Sequence, residues 1–310
     1  MKKLRRILVA IADLHHIPGG ALRRAAELAR ATGARVELFH AVTEPLTETR
    51  GARSGHTYLQ LTSEDSVAAA RKLVERIARS ALLEGCSVQA IAAWDRPAHE
   101  AIVRHALATR ADLIISGTRS RSLTNRLLLR HTDWELVRHA PVPLLLVKSA
   151  RRARKAVVLA AIDPLHANAK PARLDGRILD TAQGMAAVLK GTLHAFHAYV
   201  PLTVSLAAGF GEPIIWDSTA AEHAHTALVI KEFTRELRKR RIPPARRHLR
   251  LGDPAAELDI VAQKIRATLV VMGAVSRSRL QELFIGSTAE RVLDEIDCDV
   301  LIIKPRAAGS

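Results

Sequence analysis

The sequence predicts an α/β protein of two tandem, doubly wound, five-stranded parallel sheets, over residues 1–150 and 151–310. Three observations carry this. The chain repeats itself: the run opening at Gly117 returns at Gly273, so that Ser120 meets Ser276, Arg121 meets Arg277, Thr132 meets Thr288 and Lys148 meets Lys304. Within each half, short continuous apolar runs alternate with helical periods, as parallel strands joined by right-handed crossovers require. The 310-residue length suits two domains of ordinary size.

The elements of the first half follow in order. Residues 7–13, ILVAIAD, form an unbroken apolar run expected of a strand covered on both faces. In the next segment Leu22, Ala25, Leu28 and Ala29 share one helical face, and Gly33 stops the helix. VELFHAV is a second strand. The polar stretch from Thr43 to about Ser63 has no period. Val67, Ala70, Leu73, Val74, Ile77 and Ala81 stripe a second helix. CSVQAIAAW is a third strand, RPAHEAIVRHALATR a helix and DLIISG a fourth strand. A last helix is expected from about Asn125 to Ala140, and PLLLVK is the last strand.

The second half runs VVLAAID, a helix from about Leu174 to Leu189, LHAFHAY, a long loop, a helix from about Ser218 to Arg240, then ARRHLRL, PAAELDIVAQKIR, TLVVMG, a helix after Gly286, and VLIIK. Phe39-His40-Ala41 matches Phe196-His197-Ala198, Pro97 matches Pro254, and Asp13 is matched to Asp163. Ligands of such sheets bind beyond the carboxyl ends of the strands at the switch point. Asp163 and Gly273 are therefore expected to converge there.

Composition narrows the classes. No stretch approaches the ~20 apolar residues of a membrane span. The start, MKKLRRILVAIADLHH, reads as a first strand and not a leader, because Asp13 and two histidines interrupt it. Cys86 and Cys298 are the only cysteines and occupy non-equivalent places, so neither a disulfide framework nor a metal quartet is expected. A cytoplasmic setting is the simplest compartment. The net charge of +16 raises a nucleic-acid reading. Its support is confined to the clusters Arg151–Lys155 and Arg238–Arg247, which lack interleaved aromatics for stacking, so nucleic-acid binding is not expected.

The two copies differ where chemistry would sit. Copy two holds Gly273, Ser276, Gly286 and Ser287 at the spacing Gly-x2-Ser-x9-Gly-Ser, followed by STAERVLDEIDCDVLIIK; copy one has Arg130-His131 in place of the Gly-Ser pair. With these motifs the chain resembles a tandem universal stress protein of the E type. That resemblance implies the adenine-nucleotide alpha-hydrolase-like fold, a stress-response role and, in copy two, ATP held with Mg2+. It implies that Asp163 and Ala198 meet the base, that Met272 and Gly273 floor the pocket, and that Ser276, Gly286, Ser287 and Thr288 surround the phosphates. Ser276 departs from the motif, which has glycine there. The resemblance also implies an internal pseudo-dimer paired through Leu144–Val147 and Val300–Ile303, strands whose apolar edges would otherwise invite aggregation. A further homodimer is compatible with it.

Other constellations read as structural. His194 and His197, three apart on a strand, face opposite ways and do not chelate together, and His223-x-His225 has no partner at ligand spacing, so no metal is expected. Asp253 and Glu257 fit helix-terminal charges. Asp13 reads as a turn cap. No nucleophile–base motif is present, so a committed enzyme is not expected. Residues 200–220, with Phe210 and Trp216, read as a lid packed on its own domain. The alternative is a wall for a hydrophobic ligand, which makes the chain a binding module for a hydrophobic or phosphorylated small ligand without ATP; a basic nucleic-acid-associated stress factor is a further alternative, resting on the Arg clusters alone.

Overall fold

The computed structural model describes residues 4–15, 19–44, 47–49, 58–60, 62–120, 127–129, 131–148, 155–165, 174–200, 219–273 and 286–305. The chain divides into two compact units, Lys2–Arg151 and Arg152–Ser310.

The first unit contains β1 (Arg6–Ala10), α1 (Gly19–Thr32), β2 (Arg35–Val42), β3 (Thr47–Thr49), β4 (Tyr58–Gln60), α2 (Ser63–Ala78), β5 (Val88–Trp94), α3 (Ala98–Ala108), β6 (Leu113–Gly117), β7 (Arg119–Ser120), β8 (Leu127–Leu128), α4 (His131–His139) and β9 (Leu144–Val147). Five of these strands form a parallel sheet in the order β9-β6-β1-β2-β5. The order reverses between β1 and β6, which is the switch point of a doubly wound sheet. Ile7, Leu8, Val9, Ile114, Ile115 and Leu38 are fully buried, as the unbroken apolar runs require. α1 lays Leu22, Ala25, Leu28 and Ala29 on the sheet. Each buried leucine there is worth about 1.5–3 kcal/mol over an exposed one.

The second unit contains β10 (Val157–Ala161), α5 (Leu174–Val188), β11 (Thr192–Tyr199), α6 (Thr219–Arg238), β12 (Arg247–Leu251), α7 (Pro254–Lys264), β13 (Leu269–Gly273), α8 (Ser287–Glu295) and β14 (Asp299–Ile303). Its sheet is parallel, in the order β14-β13-β10-β11-β12. The switch point lies between β10 and β13. The turns repeat as well. Gly33 ends α1 at φ +72°, and Lys190 takes the same left-handed role after α5 at φ +50°. The glycine of that second turn is displaced to 191, where a Cβ would stand 2.3 Å from the carbonyl oxygen of Ala156.

Local chemistry moved several boundaries. β1 stops at Ala10 rather than Asp13, although Ile11 N–H still bonds the Phe39 carbonyl at 2.8 Å. α2 ends at Ala78, and Ala81 is exposed rather than striped inward. Ser80 Oγ accepts from Leu82 N–H at 3.3 Å and starts a separate 3-10 turn over Ala81–Leu83. The period-free stretch after Thr43 contains the antiparallel pair β3–β4. The last helix of the first unit begins at His131, not near Asn125, because Leu127–Leu128 pair with Arg119–Ser120.

Register also corrects one equivalence. Ala10 pairs with Phe39 and Ala161 with Phe196, so Ala10 corresponds to Ala161 and Asp163 to Ala12. Asp13 sits one position further on. Its Oδ1 accepts from His15 N–H at 2.9 Å, closing a turn as its turn-cap reading has it.

Candidate functional site

β10 and β13 are neighbours registered Ala160 to Val271, which sets Ile162 beside Gly273, the last residue of β13, and Asp163 one residue further on, at the carboxyl ends of the two strands. This is the crevice position of a doubly wound sheet. Asp163 is 7% exposed, and both of its carboxylate oxygens are buried without a hydrogen-bond partner among the described residues. Its backbone is held separately: the Asp163 N–H reaches both oxygens of Asp175, in the first turn of α5, at 3.2 Å. The main chain is therefore pinned while the side chain presents two unused acceptors. An uncompensated buried polar group costs about 1–3 kcal/mol, so a site of this kind favours a donor from outside.

Around Asp163 the framework is tight. His197 Nδ1 bonds the Ile162 carbonyl at 3.0 Å, and His40 does the same to Ile11 at 2.8 Å in the first unit. Both histidines tie the end of the first strand to the second. Burial lowers the pKa of His40, against that hydrogen bond, so its ring stays neutral in this role. Ala198, beside His197, is 7% exposed near the end of β11, and Met272 is equally buried at the end of β13. A Cβ on Gly273 would come within 2.8 Å of Leu174 Cδ2 and 3.3 Å of Ile178 Cδ1. The glycine thus lets α5 lie close over the strand end.

Gly286 is the N-cap of α8 at φ −67°, ψ 144°, with no side-chain cap. The N–H groups of Ala289 and Glu290 return to its carbonyl at 2.8 and 3.0 Å. Those of Ser287 and Thr288 have no intrahelical partner by helix geometry. Both residues are exposed. This helix start can receive an anion through amides, hydroxyls and the positive end of the dipole. Ser276 lies outside the described residues, as do residues 201–218 with most of the apolar segment. Asp163, Ala198, Met272, Gly273 and Gly286–Thr288 are within them.

The first unit keeps Ala41, Gly117 and Thr132 at the places of Ala198, Gly273 and Thr288 but differs at other points. Ser116 stands where the second unit has Met272, and Asp133 where it has Ala289. Ser116 Oγ donates to Asp133 Oδ1 at 2.6 Å, both side chains buried. The strand end that is apolar in one unit is thus closed by an internal polar pair in the other. Arg130 lies outside the described residues, while His131 opens α4.

The remaining constellations have structural partners. His194 Nδ1 meets His248 Nε2 at 3.0 Å with stacked rings. Burial, then His248 and Arg246, lowers the His194 pKa to about 4. Asp253 caps α7 through Ala256 N–H at 3.0 Å and pairs with Arg291 at 2.9 Å. No helix among the described residues is long and apolar enough to cross a membrane. Sequence reading missed one feature in particular. Glu135 on α4 is ringed by His99, His131 and His139, and the four-residue spacing within HTDWELVRH was the available signal.

The sequence matches the universal stress protein family over residues 3–148 and again over residues 158–304. It is 27% identical to universal stress protein E of Salmonella typhi over 229 residues, 71% of this chain and 70% of that one. To universal stress protein E of Photorhabdus laumondii it is 24% identical over 312 residues, 98% and 96% of the two chains. A solved universal stress protein structure from Pseudomonas aeruginosa is 28% identical, with a TM-score of 0.70 over 98% of this chain and 94% of that chain. One from Archaeoglobus fulgidus, 16% identical with a TM-score of 0.63 over 99% of this chain and 100% of that one, shares the fold. The chain belongs to the universal stress protein family, as an E-type tandem of two such domains with a role in the stress response.

Proposed function

We propose that the second unit binds an adenine nucleotide, ATP with Mg2+, and that the protein acts as a sensor or regulator rather than as a committed enzyme. The observation that carries this reading is the Asp163 carboxylate, buried at the switch point with two acceptor oxygens that have no partner among the described residues. An exocyclic amino group of a base supplies the donor that such a carboxylate lacks. The start of α8, with Gly286 leaving the approach open, suits the phosphates. Ala198 would meet the base, and Met272 and Gly273 would lie at the floor of the pocket. Ser276 would add a hydroxyl to the phosphate side.

The test is nucleotide content and binding. Protein purified without added nucleotide is denatured and the released small molecules are identified by mass spectrometry. Binding is then titrated at up to millimolar ATP with magnesium. Retained or titratable ATP, lost in Gly286→Arg and weakened at least ~10-fold in Asp163→Ala, is the expected outcome. Absence of ATP from the purified protein together with no binding at millimolar concentration would sink the proposal. Unchanged affinity in Gly286→Arg would place the ligand elsewhere.

A further inference from the structure

Both units end their last strand on the same residue. Lys148 follows β9 and Lys304 follows β14, each one position past the strand. Lys148 is buried and Lys304 is half-buried. Lysine seldom enters a protein interior, because its ammonium loses water there.

Register fixes the face on which Lys304 lies. Gly273 pairs with Ile303, and a Cβ on Gly273 would meet Leu174 and Ile178 of α5. Paired residues share a face and successive residues alternate, so Ile303 faces α5 while Ile302 and Lys304 face the other way. That other face belongs to α8. In the first unit Ser116 pairs with Leu146 and reaches Asp133 in the first turn of α4. Met272, Ile302 and Ala289 are the counterparts in the second unit. Right-handed crossovers run each helix against the strands, so α8 starts at their carboxyl ends. Lys304 therefore extends from the strand end toward the α8 start, where Ser287 and Thr288 are exposed. Arg177 of α5 donates to the Lys304 carbonyl and holds the main chain at this point.

The two lysines keep different company. On this face the first unit buries the Asp133 side chain together with Lys148. The second unit has Ala289 at that place, and Glu290, one residue on, is turned off the face that Ala289 presents to the sheet. The lysine is thus kept where the acid of its face is gone, beside a helix start that can receive an anion.

We propose that Lys304 is a phosphate-binding residue of the second unit, its ammonium meeting the phosphates of a polyphosphate ligand at the start of α8. This rests on the nucleotide reading above and adds to it a cation from outside the glycine-rich motif. Helix amides and a lysine then act on one anion from two sides. Burial lowers the Lys304 pKa to about 7, and a phosphate beside it favours the charged form. The first unit has His131 in place of Ser287 and Asp133 on the face of its lysine, so the phosphate site belongs to one unit.

The experiment titrates the full chain at pH 7.5 with ATP and magnesium, and separately with adenosine, by calorimetry. Lys304→Met should weaken ATP at least ~10-fold and leave adenosine binding unchanged. Methionine keeps the apolar stem, so the variant should fold as the parent does, which far-ultraviolet circular dichroism checks. Lys304→Arg, which keeps the charge, should hold most of the ATP affinity. Asp163→Ala should weaken both ligands. Lys239→Met removes an exposed cation of the same unit and should bind ATP like the parent. Equal ATP affinity in Lys304→Met and the parent would overturn this assignment and leave the nucleotide reading standing. Equal losses of ATP and adenosine in Lys304→Met would overturn it too, since they mark a structural role. Failure of the parent to bind ATP would overturn the nucleotide reading and the role of Lys304 with it.

Discussion

Two buried aspartates, one in each unit, show what duplication did to this fold. Asp133 of the first unit accepts a hydrogen bond from Ser116 beside the switch point. Asp163 of the second unit stands at its own switch point with both oxygens unpaired among the described residues. The strands around them have the same order and register. The scaffold therefore does not decide whether a buried carboxylate is satisfied internally. At the corresponding strand end the units differ at two positions, Ser116 and Asp133 in one against Met272 and Ala289 in the other. One unit has closed its strand end, while the other holds a buried carboxylate with no hydrogen-bond partner among the described residues.

The contrast makes predictions of opposite sign. Asp133→Ala should destabilise the first unit by about 2–3 kcal/mol, because Ser116 loses its buried partner. Hydrogen exchange read by mass spectrometry should localise the loss to β6 and α4. Asp163→Ala should instead stabilise the ligand-free second unit by about 1–2 kcal/mol, since it removes a buried polar group that has no partner among the described residues. A destabilising Asp163→Ala would break the comparison by indicating that the carboxylate already serves the fold.

Two smaller effects sharpen it. Lys304 follows β14, its carbonyl accepting from Arg177, and burial lowers its ammonium pKa to about 7. The unfolded chain keeps that proton up to about pH 10.4, so stability should rise with pH between 7 and 10. Lys304→Met should flatten this rise and add about 1–2 kcal/mol at pH 7, measured by urea unfolding at both ends of the window. The smallest effect concerns the second strand. Register places Glu37 where the second unit has His194. Glu37 meets His105 at 3.1 Å, whereas His194 meets His248. The folded-state pKa of His194 is depressed, so the stability tied to its neutral form is full above pH 6.5 and is lost as pH falls toward 4. After allowance for its partial exposure, the loss should be about 1 kcal/mol. His194→Gln should abolish it, and an unchanged acid slope in that variant would exclude the pair as its source.

Much of this was legible in the chain, for identifiable reasons. The buried strands are unbroken apolar runs, and Leu22, Ala25, Leu28 and Ala29 fall where a 3.6-residue period puts them. The Gly33 stop reflects a positive φ that glycine adopts at little cost. Other features were not legible locally. Matching Asp13 to Asp163 follows letter identity, but the pairing of Ala10 with Phe39 and of Ala161 with Phe196 shifts it by one residue. The start of α4 depended on Leu127–Leu128 finding Arg119–Ser120, a contact that helical periodicity does not encode.

The sequence by itself determined two copies of one sheet and the family to which they belong, because apolar period and internal repetition are written along the chain. Only the tertiary structure decided which polar groups are satisfied. A hydrogen bond such as that of Ser116 to Asp133 spans 17 residues, and the meeting of His99 with α4 joins two helices. That Asp163 has no partner for its acceptors among the described residues emerges only once its neighbours are placed, since a missing partner is a property of the packed surroundings and not of any residue.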